Sequence, residues 1–226
     1  MPDPLSPRNS PPDKLERRHL STLLRRYPVL KCCEPELAQA VDTLIAVYES
    51  GGKLLICGNG GSASDSEHIV GELMKCFMLP RPISESQATL LKEIGGEMGA
   101  DIAARLQQGL AAISLTSPHA LLTAVANDMH GSMIFAQQVQ GLGKFGDALL
   151  GISTSGNSAN VLNALITAKA IGLTTIALTG RSGGKILPWV DVAIRVPEDG
   201  VAEIQELHLP IYHYLCMAVE WYFFGR

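Results

Sequence analysis

The residues best suited to chemistry form a hydroxyl-rich turn at positions 153–158, with the sequence Ser-Thr-Ser-Gly-Asn-Ser. A short apolar run ending at Ile152 precedes it and predicts a buried parallel strand, and residues 159–171 predict a helix. A helix N-terminus directs free N–H groups and a positive dipole end at an anion. The turn contains no lysine or arginine, so neutral donors would hold a phosphate monoester that must also leave again. The same pattern is equally consistent with a capped turn that binds no ligand.

A second strand, turn and helix follow one another at residues 53–77. The turn at 58–64 is rich in glycine and serine, and the helix is predicted at 65–77. Gly58, Gly60 and Ala63 match the spacing of a dinucleotide-binding fingerprint. No clear second strand ending in an acidic residue follows about 20 positions on, as that fingerprint requires. The glycines are therefore expected to let some other ligand press against the backbone.

Two side-chain pairs have the spacing to bind a metal or to carry protons. His68 and Glu72 are four residues apart in the helix after the glycine turn, so they share one face. Gln205 and His213 are eight residues apart in the C-terminal helix predicted at 202–224, and at about 100° per residue they lie on nearly the same face. Two imidazoles, a carboxylate and an amide oxygen suit zinc or a similar divalent ion. Taken alone, such pairs are more often a solvated helix face or, for His213, a satisfied core histidine.

The elements that must position these residues alternate between strand and helix, which predicts a parallel α/β sheet with right-handed crossovers. The remaining strands are predicted at 111–115, 174–178 and 192–196, and the remaining helices at 14–27, 35–49, 118–125 and 132–142. Ligands collect at the carboxyl ends of parallel strands. The two turns and a third at 179–184 follow strand ends, and Asn127 and Asp128 could reach the same edge. This convergence favours a ligand site.

Composition narrows the class of protein. The chain has 226 residues and a net charge of −4, which argues against a nucleic-acid contact surface. Its five cysteines are odd in number and include no CxxC pair, so they are interpreted as reduced core residues of a cytoplasmic protein. We find neither a signal peptide nor an apolar span long enough to cross a bilayer.

One domain is expected at residues 14–226, preceded by a proline-rich disordered tail at 1–13. Residues 84–108 have helical spacing interrupted by Gly95, Gly96 and Gly99, and predict one or two broken helices that could act as a mobile flap. Pro210 lies inside the C-terminal helix, where it removes one N–H and could bend the helix.

The motifs resemble, as a set, the sedoheptulose-7-phosphate isomerases (phosphoheptose isomerases) of the sugar-isomerase (SIS) domain superfamily. The resemblance runs from about position 35 to the C-terminus. In chain order it rests on Gly58-Asn59-Gly60-Gly61-Ser62, His68-x-x-x-Glu72-Leu73, Asn127-Asp128, Gly151-Ile152 with the turn at 153–158, Leu178-Thr179-Gly180, and Ile204-Gln205-Glu206-x-His208-x-x-x-x-His213. The run at 151–158 marks the wider superfamily, and the two side-chain pairs mark the isomerase branch.

The resemblance implies a three-layer αβα sandwich with a parallel, flavodoxin-like sheet of about five strands. It implies a cytoplasmic homotetramer with active sites between subunits, a phosphorylated seven-carbon sugar as substrate, and a step towards the heptose of lipopolysaccharide. It also implies one zinc ion per subunit, held by His68, Glu72, Gln205 and His213. The sugar phosphate would be bound by Asn59, Gly60, Gly61, Ser62, Glu72, Asn127, Asp128, Ser153, Thr154, Ser155, Ser158 and Gln205.

The implied reaction interconverts sedoheptulose 7-phosphate and D-glycero-D-manno-heptose 7-phosphate through an enediolate, with Glu72 as the base at carbon and His213 as the second proton carrier. Residues 85–110 look like an insertion relative to compact isomerases. Two alternatives stay open. One is a non-catalytic SIS-domain scaffold that binds a replication initiator protein, and the other is an isomerase or sensor for another phosphosugar.

Overall fold

The computed structural model describes residues 14–225, with side chains from residue 19 onward, so the tail predicted at 1–13 lies outside the described residues. Within them, five parallel strands form one sheet in the order β2-β1-β3-β4-β5. The strands are β1 (Leu54–Cys57), β2 (Ala112–Ser114), β3 (Ala148–Ser153), β4 (Thr174–Thr179) and β5 (Val192–Arg195). This is the flavodoxin-like order, and it confirms the predicted fold class.

The side chains of each strand alternate between two apolar cores. In β1, Leu54 and Ile56 lie in one core, and Leu55 and Cys57 lie in the other. Because helices cover both faces of the sheet, every position of β1 and β3 is buried. The predicted three-layer αβα sandwich is therefore confirmed.

Within residues 14–225, eight α-helices accompany the sheet. They are α1 (Lys14–Arg26), α2 (Glu34–Glu49), α3 (Gly61–Met74), α4 (Glu85–Arg105), α5 (His119–Asp128), α6 (Ala136–Leu142), α7 (Ala159–Ala170) and α8 (Val201–Phe224). Helices α2, α3 and α8 pack in the core that contains Leu54, and α6 and α7 pack in the core that contains Leu55. Short 3-10 helices lie at Pro28–Cys33, Gly131–Met133 and Gly184–Trp189.

The predicted bounds of α3 were wrong at both ends. The helix begins at Gly61, four residues before the predicted start, because Gly60 takes a φ of +57° and serves as the N-cap. It ends at Met74 rather than at residue 77. Arg81 donates to the carbonyl oxygens of Glu72 and Leu73 in the last turn, so a side chain satisfies carbonyls that further helix would otherwise pair.

The segment at 85–105 confirms the prediction of helices broken at glycines. Gly96 takes a φ of +57° and a ψ of −129°, which divides α4 into two parts. A Cβ on Gly99 would lie 1.8 Å from Leu91 O, so the second part packs tightly against the first. An antiparallel bridge between Pro82 and Gln107 joins the ends of the segment. The segment is therefore a folded helical projection, and its mobility stays a prediction.

Helix α8 continues from Val201 to Phe224 with a buried Pro210 inside it. All five cysteines are free thiols, as predicted. Cys33, Cys57 and Cys216 are buried, whereas Cys32 is exposed, so the interpretation as core residues was too broad. Over the described part of the chain, no helix combines the length and apolar character needed to span a membrane.

Candidate functional site

The turn after β1 is joined to the start of α7 by a pair of asparagines. Asn59 Nδ2 donates to Asn160 Oδ1 at 2.9 Å, and Asn160 Nδ2 donates to Asn59 Oδ1 at 2.8 Å. The two amides thereby hold two predicted ligand turns side by side at the carboxyl edge of the sheet. Asn160 was not predicted, because an asparagine in the first turn of a helix gives no sign of a partner about 100 residues away.

The turn after β4 packs against the turn after β3. Gly156 takes a φ of +63°, and a Cβ at this position would lie 2.0 Å from Gly183 O. The Gly180 N–H donates to Thr154 O at 2.9 Å, and the Ile186 N–H donates to Gly156 O at 3.2 Å. These contacts fix the backbone of the turn, and only glycine fits at position 156.

The hydroxyl groups of this turn are gathered at the start of α7. Ser153 Oγ lies 3.1 Å from Ser158 Oγ, and Ser155 Oγ accepts from the Asn157 N–H at 3.2 Å. Ser158 is the N-cap residue of α7, yet its side chain makes no capping hydrogen bond. Hydroxyl groups and a helix N-terminus therefore lie together at 153–158, as a neutral anion site would require, and the binding of a phosphate there stays a prediction.

A second cluster forms where α3 packs against α8. His68 Nε2 lies 3.2 Å from Glu72 Oε1 and 3.4 Å from His213 Nε2. Glu72 Oε2 accepts from Lys75 Nζ at 3.0 Å. Three of the four predicted metal ligands therefore come together, although His213 is 145 residues from His68 in sequence.

Burial lowers the pKa of the His213 imidazole from its ordinary value. The His68 imidazole lowers the pKa further, and the Glu72 carboxylate opposes the change. His213 is consequently neutral at pH 7 and has one ring nitrogen free to accept a proton.

Tyr212 contacts His68, and the sequence spacing alone did not predict this contact. Tyr212 Oη is 3.1 Å from His68 Nδ1 and 3.2 Å from Asp65 Oδ1. The Tyr212 ring is buried, and the pKa of Asp65 is raised by burial, with Tyr212 and His68 opposing that rise. The available signal was the position of Asp65, three residues before His68 and so on the same helix face.

A buried ion pair ties the end of α3 to α8 and was also not predicted. Glu220 accepts from Arg81 Nε and from the Phe77 and Met78 N–H groups, each at 2.8 Å. The Arg81 guanidinium also donates to the carbonyls of Glu72 and Leu73, at 3.2 and 2.7 Å respectively. The signal in the sequence was Glu220 itself, a charged residue in the otherwise apolar run at 214–224.

The other predicted ligands lie elsewhere. The half-buried Gln205 places its amide against Gly61, where an added Cβ would lie 2.5 Å from Gln205 Nε2. Gly61 begins α3 and is two turns before His68. Asn127 and Asp128 form the end of α5, are exposed, and share a hydrogen bond of 2.8 Å. Their roles as ligands stay predictions.

The donor set at His68 fits zinc by chemistry and spacing. Nitrogen and oxygen ligands of one tetrahedral zinc ion lie about 3.3 Å from each other, close to the separations around His68 Nε2. Among the described residues, however, no group of three or more His, Cys, Asp or Glu side chains is already arranged to hold a metal ion. The zinc site therefore stays a prediction.

Comparison with known proteins identifies what the chain is similar to. A family model described as SIS domain matches residues 28–107 and 92–180. A phosphoheptose isomerase of Helicobacter pylori (strain P12) is 42% identical over 194 residues, which cover 86% of this chain and 88% of that protein. One from Thiobacillus denitrificans is 42% identical over 189 residues, covering 82% of this chain and 83% of the relative.

Solved structures agree with the sequence comparison. The phosphoheptose isomerase of Francisella tularensis superimposes with a TM-score of 0.71 at 35% identity, covering 92% of this chain and 96% of that one. The corresponding structure from Neisseria gonorrhoeae gives a TM-score of 0.70 at 34% identity, covering 91% and 98%. The likeness therefore extends over more than nine-tenths of this chain.

Proposed function

Because this chain belongs to the phosphoheptose isomerase family of SIS-domain proteins, we propose that the site described above isomerises a phosphorylated seven-carbon sugar. The reaction interconverts sedoheptulose 7-phosphate and D-glycero-D-manno-heptose 7-phosphate. The observation that carries this proposal is the contact of His68 with both Glu72 and His213, which brings a carboxylate and a second imidazole from two helices to one place. The comparisons give no support to the scaffold that binds a replication initiator.

The isomerisation moves a proton between C1 and C2 of the sugar through an enediolate. Glu72 is the group that removes the proton from carbon, since among the described residues it is the carboxylate within hydrogen-bonding distance of His68. Its other oxygen is held by Lys75, which limits the orientations of the carboxylate. His213, neutral at pH 7, accepts and returns the proton at oxygen through Nε2. His213 thus begins in the neutral state that its role requires.

The turn at 153–158 binds the phosphate of the sugar. Its hydroxyls and the free N–H groups of α7 supply neutral donors, and the backing by Gly183 keeps them in place before the ligand arrives. Binding at the phosphate orients the distant C1 and C2 atoms, so part of the binding energy is used at the reacting centre.

Zinc is part of this proposal. His68, Glu72 and His213 would hold it, and Gln205, which lies against the start of α3, stays the predicted fourth ligand. When bound, the ion supplies electrostatic stabilisation of negative charge on the sugar oxygens. A carboxylate that binds metal is a weaker base, so a bound ion would reduce the basicity of Glu72.

We also propose a cytoplasmic homotetramer with active sites between subunits, acting in the formation of the heptose of lipopolysaccharide. Exposed apolar side chains on α4 support self-association. Leu90, Ile94 and Met98 are 54%, 77% and 76% exposed, and such apolar surface is typical of a subunit contact.

The test of the proposed function is a direct assay. The purified protein is incubated with sedoheptulose 7-phosphate, before and after treatment with a chelator and after zinc is restored. We expect an aldose 7-phosphate to form, and we expect the chelator to reduce its rate reversibly. Absence of product with sedoheptulose 7-phosphate, together with turnover of a different phosphosugar, would assign the site to that other sugar.

A further inference from the structure

The buried side of His68 contacts a tyrosine that takes no part in the proposed reaction. Tyr212 Oη lies 3.1 Å from His68 Nδ1, and the two rings meet edge to face with centroids 5.3 Å apart. The same oxygen lies 3.2 Å from Asp65 Oδ1. The three side chains therefore form a chain of hydrogen bonds that runs from Asp65 through Tyr212 to His68.

The protons in this chain can be placed by counting donors and acceptors. An ionised Asp65 has only acceptor atoms, so the single phenol proton of Tyr212 is donated to Asp65. The Tyr212 oxygen is then an acceptor towards His68, and Nδ1 of His68 must carry the ring proton. In a neutral imidazole the other nitrogen, Nε2, is left with a free lone pair.

The Nε2 lone pair of His68 is directed at the proposed site. Nε2 is the atom that faces Glu72 Oε1 at 3.2 Å and His213 Nε2 at 3.4 Å. With the opposite tautomer, an Nε2–H would donate to Glu72 Oε1 and would block a cation there. The contact of Tyr212 with Nδ1, supported by Asp65, must therefore outweigh that competing hydrogen bond for the Nε2 lone pair to stay available. Histidines that bind metals commonly have their other nitrogen held by a hydrogen-bonding partner, which fixes both tautomer and ring orientation.

We propose that Asp65 and Tyr212 are positioning residues that hold His68 as the Nδ1–H tautomer, with its Nε2 lone pair directed at Glu72 and His213. The proposal rests on the proposed function for its purpose, because a directed lone pair is useful only if a cation or a proton is bound there. Its geometric part concerns the metal-free protein and can be tested without substrate.

The first experiment reads the tautomer. Metal-free protein labelled with ¹⁵N- and ¹³C-histidine is studied by NMR at about pH 8, where an ordinary imidazole is neutral, and His68→Asn assigns the signal. We expect the wild-type signal to be that of the Nδ1–H form. Tyr212→Phe and Asp65→Ala should each increase the Nε2–H form, since the first removes the acceptor and the second frees the phenol proton for Nδ1.

Tyr48→Phe is the matched control. Tyr48 is equally buried, and its hydroxyl donates to Ala111 O at 3.3 Å, away from His68. This variant should keep the wild-type tautomer. A wild-type His68 in the Nε2–H form, or a Tyr212→Phe signal identical to wild type, would overturn the proposal. If circular dichroism shows that Tyr212→Phe does not fold, the tautomer of His68 in Asp65→Ala tests the proposal instead.

The second experiment measures zinc affinity by competition with a chromophoric chelator. Tyr212→Phe should bind zinc 10–100-fold more weakly than wild type, by about the usual effect of removing such a partner, and Tyr48→Phe should bind it as wild type does. Equal affinity in Tyr212→Phe would contradict the positioning role. Should the wild type bind no zinc while the tautomer result holds, the zinc part of the proposed function fails and the positioning of His68 stands. Lack of turnover in the sugar assay would count only against the isomerase.

Discussion

Arg81 and Glu220 form an ion pair at 2.8 Å in which the side chains are 0% and 1% exposed. The pair joins the segment after α3 to the last turns of α8. Because these helices carry His68, Glu72 and His213, the pair helps to fix the distance between the two halves of the proposed catalytic cluster. The hydrogen bonds of both side chains described above go to partners inside the protein, so neither charge is left without one.

Removing one charge of this pair should strongly destabilise the protein. Glu220→Gln leaves the Arg81 guanidinium buried without a counter-charge, which typically costs about 3–5 kcal/mol. We expect the free energy of unfolding, measured by urea denaturation, to fall by this amount. Asp101→Asn is the matched control, since its partner Arg105 and Asp101 itself are 78% and 62% exposed, and such pairs contribute at most about 1 kcal/mol. Equal losses in both variants would show that the buried pair has no special role.

Replacing the proposed base should abolish turnover while leaving substrate binding measurable. Glu72→Gln keeps the size of the side chain and removes its ability to accept a proton from carbon. We expect kcat for sedoheptulose 7-phosphate to fall by about 10²–10⁴-fold. Calorimetric titration with the sugar phosphate should still detect binding, because the turn at 153–158 is untouched.

Glu67→Gln is the control for this prediction. Glu67 is on the same helix, but its carboxylate accepts from Thr116 and Ser117 rather than from His68. Its kcat should remain within about threefold of wild type, a change of less than about 1 kcal/mol. Near-normal turnover in Glu72→Gln would remove Glu72 from the mechanism.

Local sequence patterns predicted the features that depend on neighbouring residues. The apolar run at β3 and the glycine turns predicted the parallel sheet and the edge of the sheet where a ligand would bind. The four-residue spacing predicted that His68 and Glu72 share one helix face. Long-range partners were not predictable in this way. Arg81 resembles an ordinary surface residue in the sequence, and its burial follows only once Glu220 is packed beside it.

Gln205 shows that two residues on one face of a helix need not contact the same site. Gln205 and His213 do share a side of α8, but eight residues separate them by about 12 Å along the axis. The structure accordingly places Gln205 at the start of α3 and His213 at its middle. Sharing a helix face fixes a direction, and proximity depends on what packs opposite each turn.

The buried His208 should make the protein less stable in mild acid. His208 is fully buried, and burial lowers the pKa of its imidazole to about 4, with only a backbone contact of Thr179 opposing the shift. Neither ring nitrogen has a hydrogen-bond partner of good geometry within the described residues. An unfolded histidine has a pKa of about 6.5, so between these values the unfolded state binds the extra proton.

The contribution of neutral His208 to the free energy of unfolding is thus fully present above about pH 6.5. It is lost as the pH falls towards 4, and the total loss is about 3 kcal/mol. His208→Gln should lack this part of the pH dependence, whatever its stability at neutral pH. Urea denaturation from pH 8 to pH 4 measures the difference between the two proteins. That difference should be constant above pH 7 and should change below it. A constant difference at every pH would contradict the prediction.

The apolar surface of α4 should govern the oligomeric state. Ile94 is 77% exposed in the single chain, and burying such a side chain between subunits contributes about 1.5–3 kcal/mol at each copy of the contact. Ile94→Glu places a charge in that contact and should convert the proposed tetramer to smaller species, as measured by light scattering after size-exclusion chromatography. Lys92→Glu changes the charge of the same helix without removing apolar surface, and it should keep the wild-type mass. If Ile94→Glu keeps the wild-type mass, α4 does not form the contact, and a wild type that is monomeric at micromolar concentration would rule out the tetramer itself.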